Sequence, residues 1–539
     1  MNAVSEDTEK DNKEKPQIFF RSITFNDGTQ LQLEHDSIIV FTGANNSGKS
    51  QVLKDAEMCL NASNAFPTIV IKAAEFDFYG SIDEKSFLKE RFYENKSGQY
   101  QLLEVGNSFS IDSLQNYWEK HRCCNGLHTL FIKRLSTELR LTSSNALNRG
   151  SQPERRAIYQ LYKSESLAQE ISNYFHQAFG VDLVVNRSEM QMVPLHIGQA
   201  PDKTAFTIDK QDDYYSQVSK LPKLQEQGDG MRSFASILID TFTSEHTITL
   251  IDEPEAFLHP PQARLLGKML AKNNPGNRQL LISTHSEDFL QGLLDADYKN
   301  VIVIRIDRIE NVNKMSILKN DEIKKLWSNP ILRYSNILSG LFHEKVVVCE
   351  SDYDCLFYQA IINAIYEHKG EIAVDILFTH CGGKARAKDI VSALKAVNVP
   401  VIAICDFDIL DAKKTFRSLL ESFCQEWSDE LDADMQIIYD YINAQRSSGI
   451  DAWAQIKKIG KAGLTGASPA AYEKVEEICK TAGLFIVPVG EMECFDKTVD
   501  KEKKEWVYYI LENYNLAVEP KLDDARKFVQ AIVEFKTAV

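Results

Sequence analysis

Two sets of residues in this chain have types and spacings that could do chemistry. The first is Gly43-Ala-Asn-Asn-Ser-Gly-Lys-Ser50, which satisfies G-x-x-x-x-G-K-[ST]. Gly43, Asn46 and Gly48 form a loop whose backbone N–H groups can wrap the phosphates of ATP, Lys49 can reach the β and γ phosphates, and Ser50 can hold Mg²⁺. Far downstream, "TITLIDEPEAFLHP" ends an apolar run in Asp252 and Glu253, a Mg²⁺-coordinating aspartate and a water-polarising glutamate for phosphoryl transfer. "RQLLISTHS" ends in His285, placed to contact the γ-phosphate or the attacking water. Between the P-loop and the Asp-Glu run, "EQGDGMRSFASILID" sets Gly228 and Gly230 at the entry of an apolar helix, an anion site at a helix N-terminus.

The second set is acidic. Glu350 and Asp354 in "VVVCESDYD", Asp406 and Asp408 in "ICDFDI", and Glu491 and Glu493 in "VGEMECF" each follow a strand-like run. Carboxylates converging on one crevice repel one another unless cations neutralise them, and an all-oxygen donor set suits Mg²⁺ or Mn²⁺. Two such ions, roughly 3.5 to 4 Å apart, can activate a water and stabilise the leaving oxygen in phosphodiester cleavage. Any one pair could equally be an acidic loop in water. Lys384 in "CGGKARAK", with Arg386 and Lys388, follows a glycine loop that allows close backbone approach and is the local candidate for a DNA phosphate.

These groups need strand ends to carry them. "QIFFRSITF" and "QLQLEHDSIIVF" read as strands joined by a turn at Asn26, Asp27 and Gly28, and the second leads into the glycine loop and a helix at "QVLKDAEMCL". From about 60 to 220 the spacing in "SLQNYWEKHR", "LFIKRLSTELRL" and "SESLAQEISNYFHQAFG" predicts a long, largely helical insertion. Lys133, Arg134, Arg149, Arg155 and Arg156 lie in or near it and are read as a solvated helix face, with nucleic-acid contact as the lesser alternative. After 338 the pattern alternates strand and helix, which predicts a parallel α/β domain whose functional groups gather at strand ends. The expected organisation is a disordered tail over 1–16, an ATPase domain over 17–338 and a second α/β domain with C-terminal helices over 339–539.

Composition bounds this reading. A chain of 539 residues exceeds what one core supports, so two or three domains of roughly 150 to 250 residues are expected. The net charge of −16 excludes a uniformly basic nucleic-acid coat and confines any DNA contact to local patches. Ten scattered cysteines and no apolar run long enough for a bilayer predict a cytoplasmic protein without membrane contact.

The glutamate strand followed by Asp-Phe-Asp resembles a Toprim domain. The order of P-loop, insertion, glycine loop, Asp-Glu strand and His strand resembles an ABC-type ATPase head. A head followed directly by Toprim looks like the OLD (overcoming lysogenization defect) family of ATP-dependent endonucleases, and "LFHEKVVVCESDYD" is similar to that family's run into its glutamate. Ser351 stands where a glycine is usual, and Glu491 where an aspartate is usual. The resemblance implies a DNA endonuclease or nickase regulated by ATP, with heads pairing into a homodimer or higher oligomer as the glycine loop of one subunit caps ATP held by another. It also implies a late lysine near the phosphate, for which Lys527 is the choice and Lys521 the reserve. A role in bacterial anti-phage defence follows from the resemblance, for some relatives beside a reverse transcriptase and its single-stranded DNA/RNA product. The competing expectation is a non-cleaving ATPase clamp in DNA repair.

Overall fold

The computed structural model describes residues 14–61, 68–96, 98–102, 106–143, 147–148, 157–188, 192–201, 211–318, 338–447 and 452–536. The chain forms two units, Met1–Asn320 and Asp321–Val539. This division precedes the boundary expected at 338, and the stretch 319–337 lies outside the described residues. So do Arg149, Arg155 and Arg156 and most of the expected tail.

In the first unit, a six-stranded sheet runs in the order Val312–Leu318, Val301–Ile309, Ile38–Thr42, Gln279–Ser283, Ile248–Asp252, Ile132–Leu135. Neighbours are parallel except for the antiparallel first pair. Ile38–Thr42 and Gln279–Ser283 are buried at every position, which is why their sequences run apolar instead of alternating. Asp252 stands opposite Ser283, and Ser283 opposite Phe41, so three strands end level and open on one edge. A second, antiparallel sheet pairs Gln17–Phe25 with Gln30–Gln32 and Ile71–Tyr79. "QLQLEHDSIIVF" is thus not one strand. It breaks at His35–Asp36, where Asp36 accepts hydrogen bonds from the Tyr298 hydroxyl and the Asn300 amide, and its halves join different sheets.

Among the described residues the insertion over 60–220 mixes helices with strands. Helices Ile111–Glu119 and Glu165–Phe179 fall where the spacing predicts them. Ile71–Tyr79, Ile132–Leu135 and the pair Asp182–Val185 with Leu195–Gly198 are strands. Sheet partners override local spacing here: Ile132–Leu135 docks in parallel register along Ile248–Ile251, and its "LFIKRL" segment supplies buried Ile132 and Leu135 to the core. Fully buried Asp55, on the P-loop helix, accepts the backbone N–H groups of Ile69, Val70 and Ile71 and so anchors the start of the Ile71–Tyr79 strand.

The second unit is built on four parallel strands ordered Ile376–His380, Lys345–Cys349, Val401–Cys405, Leu484–Ile486. In chain order this is 2-1-3-4, so the chain reverses direction between the first and third strands. Ligands in open parallel sheets bind in the crevice beyond the carboxyl ends at such a switch point. Glu350 directly follows the first strand, and Asp406 directly follows the third.

Candidate functional site

In the first unit the P-loop is shaped by left-handed backbone at Gly43, Asn46 and Gly48. A side chain at Gly43 would meet the Ile306 carbonyl at 2.3 Å, and one at Gly48 would meet the Asn313 amide at 2.8 Å, so both positions require glycine. Asn313, on the antiparallel edge strand, donates to the Ser47 carbonyl at 2.6 Å and fixes the loop from below. Lys49 is buried and donates to the carbonyls of Gly43 and Ala44 at 2.8 and 2.7 Å, which holds its ammonium at the centre of the loop. Ser50 donates to Asp252 Oδ1 at 2.8 Å, and Ser283 donates to the same oxygen. A serine hydroxyl and a carboxylate on one point suit a Mg²⁺ bound with nucleotide.

Glu253 has φ +48°, a strained setting for a glutamate, and its carboxylate lies 3.4 Å from His285 Nε2. Burial, with Lys49 nearby, pushes His285 down to about 4, so the ring is neutral at physiological pH. Glu255 accepts the His285 backbone N–H at 2.7 Å and fixes the loop that carries it. Gly228 caps the helix Asp229–Thr243, and a side chain at Gly230 would meet the Phe257 carbonyl at 2.5 Å. The glycine loop therefore packs closely on the segment after Glu253.

In the second unit the structure gathers the predicted acids around the switch point. Glu350 Oε1 accepts the backbone N–H of Asp406 at 3.2 Å. Burial, then Asp408 and Asp354, push Glu350 up to about 7; burial, then Glu350, Asp354, Glu491 and Asp408, push Asp406 up to about 9. Burial also raises Asp354, with Glu493 adding to it, although Asp354 accepts the Ser351 backbone N–H at 2.9 Å in a reciprocal cap of the helix Asp352–Lys369. That cap is the work done by Ser351 in the place of the usual glycine. Carboxylates that raise one another in a crevice at a switch point are a donor set that fits a divalent cation.

Not every predicted ligand stands open to such an ion. Among the described residues no three His, Cys, Asp or Glu side chains already converge in ion-holding geometry. Asp408 pairs with Lys384 at 3.0 Å and with Lys457 at 3.1 Å, Glu491 pairs with Lys457 at 2.8 Å, and Glu493 accepts the Lys503 backbone N–H at 2.7 Å. Lys384 thus contacts a carboxylate of the cluster. Of the two late lysines, Lys527 is 77% exposed and pairs with Asp524 one turn back on its own helix. Lys521 instead donates to Thr498 and lies 3.7 Å from Asp496.

Residues 197–290 match the model of an AAA domain whose description names the AbiEii toxin of a Type IV TA system. Residues 341–408 match the model described as "Overcoming lysogenization defect protein-like, TOPRIM domain". The chain thus carries an AAA-type ATPase segment and, after it, an OLD-like Toprim segment. It is 26% identical to the Old nuclease of Escherichia phage P2 over 171 residues, a match covering 30% of this chain and 28% of that relative. Among solved structures, the SMC head domain from Thermotoga maritima aligns with TM-score 0.31 and 10% identity over 57% of this chain and 100% of that one. The Smc head domain from Pyrococcus furiosus aligns with TM-score 0.33 and 11% identity over 58% and 99%.

Around these two segments, three contributors carried no sequence signal. Lys457 sits in an ordinary amphipathic helix, Ala452–Ile459, and nothing in "AWAQIKKIG" marks it. Arg140, fully buried, donates to the carbonyls of Asp252 and Glu253, to the Leu135 carbonyl at 3.1 Å and to Ser233 Oγ at 3.0 Å. It ties the insertion, the Asp-Glu strand and the glycine-loop helix together. Asn313 lies 266 positions along the chain from Ser47, whose carbonyl it supports, too far for a local motif.

Proposed function

We propose that this protein is an ATP-regulated, divalent-cation-dependent DNA endonuclease or nickase. One observation carries the reading: Glu350, Asp354 and Asp406 lie at the switch point of a parallel sheet within the matched Toprim segment, and burial and mutual repulsion push the Asp406 carboxyl up to about 9. Such acids favour a cation over separate ionisation. Glu350, Asp354 and Asp406 would hold Mg²⁺ or Mn²⁺, with Asp408, Glu491 and Glu493 around them. The bound cation supplies Lewis-acid activation of water and stabilises the departing oxygen of a phosphodiester. Lys384 and Lys457 bring fixed positive charge to the same crevice and would orient the DNA phosphate. In the first unit, Lys49 would bind the β and γ phosphates of ATP, Ser50 and Asp252 would hold its Mg²⁺, and Glu253 would take the proton of the attacking water. His285, neutral and 3.4 Å from Glu253, would orient that carboxylate.

Pairing of ATPase heads through Gly228 and Gly230 would make the working particle a dimer or larger. Anti-phage defence is the physiological setting that the family resemblance implies, for some relatives beside a reverse transcriptase and its single-stranded product. The test is plasmid cleavage with Mg²⁺ or Mn²⁺: nicked or linear product is expected from the wild type and at least about a hundredfold less from Asp406→Ala. Equal cleavage by the two would leave the non-cleaving clamp as the better reading.

A further inference from the structure

Two lysines divide the Toprim carboxylates into unlike halves. On one side, Glu350 and Asp406 are joined through a backbone N–H, and Asp354 caps its own helix. Among the described residues none of these three has a lysine or arginine partner within 4 Å. On the other side, Lys457 Nζ bridges Asp408 Oδ2 at 3.1 Å and Glu491 Oε1 at 2.8 Å, and Lys384 Nζ reaches the same Asp408 oxygen at 3.0 Å. A single ammonium held between two carboxylates from different loops is doing what a bridging cation does.

The placement of Lys457 is built into the backbone. Gly460 and Gly490 both take left-handed φ values, +71° and +117°. A side chain at Gly460 would meet the Pro488 carbonyl at 2.1 Å, and one at Gly490 would meet the carbonyl of Lys457 itself at 2.2 Å. Lys461 donates to the Pro488 carbonyl at 2.9 Å, and Phe407 donates to the Gly490 carbonyl at 2.8 Å. The helix end bearing Lys457, the loop bearing Glu491 and the turn bearing Asp408 are thereby locked backbone to backbone. A long lysine on a solvated face would lose its geometry to side-chain entropy, whereas here the stem is delivered to the crevice.

We infer that Lys457 is a built-in second cation: the centre takes one firmly bound divalent ion, at the Glu350, Asp354 and Asp406 half, while the Lys457 ammonium stands between Asp408 and Glu491. The inference rests on the Toprim nuclease reading and specifies its metal content. During cleavage, Lys457 would present fixed charge to the phosphodiester beside the single ion.

The experiment is a Mn²⁺ titration of the full-length protein without nucleotide, following free ion by electron paramagnetic resonance. Wild type is expected to bind one firm ion per chain that Asp406→Asn lacks, and Lys457→Met and Lys457→Gln are each expected to bind one more than wild type. Two firm ions lost in Asp406→Asn would overturn the inference and leave the nuclease reading standing. So would a count unchanged from wild type in both Lys457 variants, provided their circular dichroism matches wild type. No Mn²⁺ bound by wild type at this centre would overturn the inference, and plasmid cleavage by the wild type then decides separately whether the nuclease reading stands.

Discussion

At the scale of single residues, the end of the Asp-Glu strand is held by an arginine that no motif marks. Arg140 donates to two consecutive carbonyls, those of Asp252 and Glu253, and to Ser233 on the glycine-loop helix. Glu253 sits in left-handed backbone, which is about 1–3 kcal/mol unfavourable for such a residue unless its surroundings hold it there. A planar guanidinium can satisfy several carbonyls at once, whereas an ammonium on a lysine stem cannot match that fork. Arg140→Lys is therefore expected to lower ATP turnover at least about tenfold while ATP affinity, set by the intact P-loop, changes little. Steady-state kcat measured alongside equilibrium nucleotide binding checks this; equal losses in both would make Arg140 merely structural.

At the scale of elements, the Toprim centre is assembled by caps and glycine turns more than by the sheet alone. Ser351 caps the helix that carries Asp354, and Gly383, at φ +116°, donates its N–H to the Glu350 carbonyl while opening the helix that carries Lys384. Gly490 does the same for Lys457 by close approach. Gly490→Ala forces its new carbon into a carbonyl and keeps an unfavourable φ, so it is expected to destabilise the second unit by about 2 kcal/mol or more. Gly370→Ala is the control: it has φ +71° with open space around it, and a loss of about 1 kcal/mol is expected from backbone strain alone. Denaturant unfolding of both variants, with Mn²⁺ binding measured on the Gly490 one, gives the comparison; equal losses would mean the close approach relaxes freely.

At the scale of the whole molecule, two units with separate sheets each carry one candidate centre. No helix among the described residues is long and apolar enough to cross a membrane. If the first unit regulates the second, disabling ATP chemistry must alter cleavage without emptying the Toprim centre. Lys49→Ala is expected to reduce ATP turnover at least about a hundredfold, to abolish the response of plasmid cleavage to ATP, and to leave Mn²⁺ binding unchanged. Parallel ATP-turnover and cleavage assays decide it; a wild-type response of cleavage to ATP in this variant would separate the two activities.

The motifs that announce themselves locally were legible in one dimension. Gly43 to Ser50, Asp252 with Glu253, and Glu350, Asp406 and their neighbours each sit where an apolar run stops, because parallel strands buried on both faces are continuous in sequence and their ends are where polar side chains first become tolerable. The alternation after 338 likewise fixed a parallel α/β unit. Local pattern misled in the insertion, where Ile132–Leu135 became a strand through its partner Ile248–Ile251. What only the tertiary structure decided is which distant groups share the two centres. Arg140 behind Glu253, Asn313 beneath the P-loop, and Lys457 between Asp408 and Glu491 are brought in by packing across tens to hundreds of residues, and no spacing in the chain encodes such a meeting.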